Sequence, residues 1–129
     1  MAMDLSEIEI LLQRRYNSLL EISKLTKEML DTLSRGDEVS LSLMLDMRAE
    51  EIEKYAVCQE EIWKIAEKDP QKSEHVRRIM NTDPEEGLGT GRQEERTAYR
   101  IRSKTIKLLR EVQQQDELLG LKLHAGQPR

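Results

Sequence analysis

Phenylalanine is absent from this sequence, and one Trp with three Tyr leaves the aromatic residues at 3%. Sheets draw on aromatic and β-branched side chains to fill their pleated faces, so this shortage argues against an all-β or mixed fold. Cys58 is the single cysteine, which excludes an intrachain disulfide framework and a thiolate metal cage and agrees with a reducing compartment. With only three prolines, long stretches carry no helix breaker. No run approaches the roughly 18 apolar residues that a bilayer span demands. Residues 1–9 also lack the basic and then apolar blocks of a secretory signal, so a cytoplasmic location is expected.

Charge is what the chain has in quantity. Charged residues make up 36% of the 129 and hydrophobic ones 37%, the mixture of amphipathic helices sharing one core in one domain. The net charge is −4, and basic residues are interspersed with acidic ones, so phosphate neutralisation gains little and nucleic acid is not an expected partner.

Apolar residues recur at helical spacing through Leu5, Ile8, Leu12, Leu19, Ile22, Met29 and Leu33, which predicts a first helix over 5–35. Asp4 or Ser6 is placed to cap its start. A second stripe, Leu11, Tyr16, Leu20, Leu25 and Leu30, widens the apolar face beyond a two-stranded seam, so this helix should touch two neighbours. Arg35-Gly36-Asp37 supplies the stop: Gly36 suits a left-handed residue and Asp37 a cap for the next helix. The tripeptide also spells a cell-adhesion motif, but a tight helical hairpin accounts for it. The spacing resumes through Leu41, Leu45, Ile52, Tyr55, Ile62 and Ala66 and predicts a second helix over 38–68, antiparallel to the first. Leu43, Met47 and Trp63 lie off this stripe, free to meet a third helix or a partner.

Asp69-Pro70 interrupts the pattern and starts a short helix over 71–80. Residues 81–91, with an Asp-Pro step and three closely spaced glycines, read as a flexible loop. A last long helix is predicted over 92–121 from Ala98, Ile101, Thr105, Leu108, Val112 and Leu119, followed by a mobile tail over 122–129. The fold class is therefore all-α, an antiparallel bundle of three long helices with a short extra helix after the second.

Tests for chemistry fail in this pattern. Gly87-Leu88-Gly89-Thr90-Gly91 follows no strand and lacks the phosphate-binding lysine. His75 and His124 have no partner at metal-ligand spacing, and the pairs Glu50-Glu51, Glu60-Glu61 and Glu94-Glu95 diverge around a helix and read as solvated faces. No catalytic residue, cofactor site or metal site is expected. Arg15 and Arg48 interrupt apolar stripes; their stems should cover the seam while their heads reach solvent or a glutamate, with Glu21 and Glu28 the candidate partners of Arg48 across the hairpin.

The hairpin from Tyr16 to Ile52, with Met29-Leu30-Asp31-Thr32-Leu33, the Gly36-Asp37 turn, and then Leu41, Leu45, Arg48 and Ile52, resembles the flagellar type III export chaperones. So does the final helix, where Ile106, Leu109, Val112 and Leu119 precede a tail. The resemblance implies a cytoplasmic, non-catalytic helical bundle that binds the carboxy-terminal amphipathic segment of a hook-associated or filament-cap subunit and prevents its premature assembly. It also implies contact with the export apparatus, and cargo binding at the carboxy-terminal helix through Leu108, Leu109, Val112, Leu118, Leu119, Leu121 and Leu123. The competing expectation is a coiled-coil scaffold acting through homo- or hetero-oligomers, which surplus apolar stripes permit equally well.

Overall fold

The computed structural model describes residues 3–125. Its helices are α1 (Ser6–Ser34), α2 (Glu38–Lys68), α3 (Pro70–Asn81), α4 (Pro84–Thr90) and α5 (Arg96–Ala125), with one 3-10 turn, Gln93–Glu95, leading into α5. The three long helices α1, α2 and α5 form the bundle, and α3 and α4 fill the connection between α2 and α5.

The punctuation works as local chemistry requires. Asp4 accepts the Ser6 amide at 2.9 Å ahead of α1. Gly36 takes φ 73° after α1, and the Asp37 carboxylate accepts the Ser40 amide at 3.0 Å at the start of α2. This turn reverses the chain, so α2 returns along α1: Arg15 meets Gln59, Thr26 meets Arg48 and Thr32 meets Met44. Asp69 caps α3 through the Gln71 and Lys72 amides, with Pro70 in the first turn, where its missing N–H costs nothing. α5 runs parallel to α1, since Lys104 lies over the Tyr16 ring and Ser23 meets Gln115 further along.

α1 packs closely against both other long helices, whereas α2 and α5 meet chiefly through long side chains, as in the Arg48–Asp116 pair. The bundle consequently has unequal ends. At the base, Ile8 and Leu12 of α1, Ile62 of α2, Val76 and Ile79 of α3, and Ala98 and Tyr99 of α5 close into one core. Towards the tip, Leu19 and Ile22 pack on Val112 with Tyr55, Leu108 and Leu109 around them. The base has five helices to contribute to its core, the tip only three.

Residues 81–91 are not a flexible loop. Pro84–Thr90 form α4, with Pro84 and Gly87 buried. Gly87 lies flat against the Tyr99 ring: a Cβ there would come within 2.5 Å of Tyr99 Cε1, a distance no side chain tolerates. Gly87 and Gly91 thus serve close packing, which composition alone does not distinguish from flexibility, whereas Gly89 has open space around it. At the other end, α5 continues through residues 122–125 of the expected tail, and 126–129 lie outside the described residues.

Candidate protein-docking surface

Among the described residues, Glu95 is the one acidic residue taken wholly from solvent, at 0% exposure, not part of a solvated face as its pairing with Glu94 suggested. The turn Gln93–Glu95 aims it inward, where it accepts from Arg78 Nε at 3.1 Å and Nη2 at 3.0 Å, and lies 2.6 Å from His75 Nδ1. Burial pushes the Glu95 carboxyl up, but the hydrogen bonds and charges of Arg78 and His75 together outweigh it and hold the group below its ordinary value. The Tyr99 hydroxyl also faces it at 3.4 Å. This cluster clamps α3 to the start of α5.

Other groups offer less. Burial pushes the Cys58 thiol up, with Glu61 adding to the effect, which is the wrong direction for a nucleophile. Among the described residues no cluster of His, Cys, Asp and Glu has the arrangement to hold a metal ion. None of their helices is long and apolar enough to cross a membrane.

The arginines of the apolar stripes find different partners from those expected. Arg48 donates to Thr26 Oγ1 at 3.0 Å and pairs with Asp116 of α5, not with Glu21 or Glu28, because α5 passes closer to its head. Arg15 is buried, donates to Gln59 at 3.2 Å and stacks over Tyr55, leaving its Nε without a partner.

The seven leucine and valine positions assigned to α5 divide. Val112 is buried against Leu19 and Ile22 of α1, Leu119 is buried, and Leu108 and Leu109 are half-buried beside the tip core. The two buried residues belong to the bundle interior, while Leu108 and Leu109 keep part of their surface open. Leu123 is half-buried, while Leu118 and Leu121 are exposed, Leu121 at 70%.

More apolar surface lies on α2 than on α5. No residue of 38–57 is buried, although the segment carries Val39 at 83% exposure, Leu43 at 62%, and Leu45, Met47 and Ile52 above 40%. Leu43 and Met47 stood off the main stripe; Leu45 and Ile52 were on it and were expected to face a helix. They are open because α5 packs over α1 more than over α2, leaving the first half of α2 largely uncovered. Antiparallel pairing places residues 38–57 beside the carboxy-terminal half of α1, the same end at which Leu118 and Leu121 emerge. The sequence signal for these residues was the surplus of apolar positions around α2; its location required knowing which helices touch.

Compared with protein-family models, curated proteins and solved structures, the chain matches none.

Proposed function

We propose that this protein is a non-catalytic holding chaperone whose bundle tip receives an amphipathic helical segment of another protein. The observation that carries the reading is the uncovered first half of α2, where Val39, Leu43, Leu45, Met47 and Ile52 are all exposed at the same end of the bundle as the exposed Leu118 and Leu121 of α5. Burying one such side chain against a partner contributes about 1.5–3 kcal/mol before ordering costs. Several together suffice for helix-in-groove binding without a nucleotide or metal. The firm base keeps the module folded while its tip is free to engage.

The resemblance to flagellar export chaperones supplies the cargo: the carboxy-terminal amphipathic segment of a hook-associated or cap subunit, held in the cytoplasm and surrendered at the export machinery. The docking residues are then Leu118 and Leu121, with Leu123 at the margin, joined by Leu43 and its neighbours on α2. The test is co-expression with the hook-associated and cap subunits of the same organism, followed by purification on a tag carried by this chain. Cargo should co-purify with the native protein and be lost on Leu43→Asp with Leu121→Asp, while the melting temperature holds. Equal retention by the double variant refutes this site. Truncation after Thr105 is a poorer experiment, since it strips Val112 from Leu19 and Ile22 and damages the core.

A scaffold function is the second reading, favoured by the spacing of Val39, Leu43 and Met47, which forms an unpaired helical seam. Light scattering separates the two: a mass above that of one chain that does not fall on dilution favours the scaffold, and a monomer favours the chaperone.

A further inference from the structure

The outer face of α2 has a second property besides its apolar side chains. Val39, Leu43, Asp46, Glu50, Glu53 and Val57 follow one another at alternating spacings of four and three, which is the seam spacing of a coiled coil, so they line a single strip. All six are exposed. The strip is about 27 Å long at the helical rise, apolar at both ends and acidic in the middle. Asp46, Glu50 and Glu53 make no ion pair with any described residue. Like charges one turn apart weaken a helix by a few tenths of a kcal/mol per pair, so the strip carries a local cost that an opposite charge would relieve.

The neighbouring groove between α1 and α2 continues the pattern. Val57 and Cys58 line it, and Glu21, Glu51, Glu53 and Glu61 outnumber Arg14 and Lys54; with Lys54 and Glu51 paired at 3.0 Å, the acids keep their excess. Strip and groove share Glu53 and Val57 and so form one continuous surface. A second copy of this chain is a poor occupant, since pairing the strip with itself sets Asp46, Glu50 and Glu53 against the same acids.

We propose that the segment held on this surface is a basic amphipathic helix, its apolar stripe interrupted or flanked by Lys and Arg that meet Asp46, Glu50 and Glu53. This rests on the docking reading above and adds to it the charge of the partner. Apolar contact supplies the bulk of the affinity, and the charges select the partner and fix its register. A helix of equal hydrophobicity carrying acidic flanks would be repelled from the same strip.

The test uses the full chain and two synthetic helical peptides with one leucine stripe, flanked in one by Lys and in the other by Glu, with affinity read by fluorescence anisotropy. The Lys-flanked peptide should bind about tenfold or more tightly at low salt, equivalent to about 1.4 kcal/mol, and the gap should narrow as salt rises. Glu50→Lys with Glu53→Lys should invert the preference while the circular dichroism spectrum stays helical. Leu43→Asp should weaken both peptides. Equal binding of the two peptides, or a preference untouched by the charge reversal, overturns the basic-helix assignment and leaves apolar docking standing. Binding of neither peptide, or binding indifferent to Leu43→Asp, overturns both.

Discussion

At the scale of single residues, the fold depends on a few polar side chains placed where apolar ones would be expected. Glu95 is the clearest, a carboxylate with no exposure, held by Arg78 and His75 and facing the Tyr99 hydroxyl. Its pKa lies below the ordinary value of 4.5 in the folded state. The unfolded chain therefore takes up its proton first as pH falls, and the stability this group contributes is complete above about 4.5 and lost as pH drops through the folded value. Glu95→Gln should lower the unfolding free energy by about 3 kcal/mol at neutral pH, since it removes the buried charge that Arg78 and His75 share and leaves Arg78 only the exposed Glu74. The gap to the native protein should shrink in acid. Urea titrations of both proteins from pH 7 to pH 3 check this; curves separated by a constant amount would show that Glu95 is not the titrating group. Thr26 and Thr105 are quieter cases, each buried with its hydroxyl returned to a carbonyl one turn back, at 2.7 and 2.9 Å, so neither leaves a donor unmet.

Among the helices the decisive difference is between α1 and α2. α1 buries residues along nearly its whole length, whereas α2 buries only Cys58 and Ile62, both in its second half. Equivalent leucines should then have unequal effects. Leu19→Ala, opening a hole between α1 and α5, should cost about 2–4 kcal/mol. Leu43→Ala on the outer strip of α2 should stay within about 0.5 kcal/mol of the native protein. Chemical denaturation of the two variants measures both, and a large loss from Leu43→Ala would mean that the strip is already covered. α4 makes a complementary point. It is too short to persist alone in water, and it exists because Gly87 seats against Tyr99 and Arg96 Nη1 donates to the Leu88 carbonyl at 2.9 Å.

The whole molecule is a firm base continued into a thin tip. Hydrogen exchange should follow this gradient: amides of residues 8–12, 76–79 and 98–101 protected to the level of global unfolding, and those of 38–52 exchanging through local opening at lower free energy. Uniform protection along α2 would argue that its first half is buried by self-association. This division matches a holding function, in which the part that binds gains order from its cargo while the part that does not keeps the fold intact.

The positions of α1, α2, α3 and α5, the Gly36-Asp37 reversal, the Asp69-Pro70 break and the bundle class were legible in the sequence, because apolar spacing and capping chemistry act over a few residues and need no distant partner; α4 was not, since its packing against Tyr99 is a tertiary contact. The α2 surplus was visible too, through Leu43 and Met47 off the main stripe. What the amino acids alone left open was which apolar face each helix hides. Leu45 and Val112 both sit on regular stripes, yet Val112 is buried under α1 and Leu45 faces solvent. Similarly, Glu94 and Glu95 are neighbours, yet only Glu95 is drawn into the core by the 3-10 turn and by Arg78 seventeen residues earlier. Only the tertiary structure decided these, because burial depends on which helices come into contact. Here α5 chose α1 over α2, closing one stripe and leaving the other open.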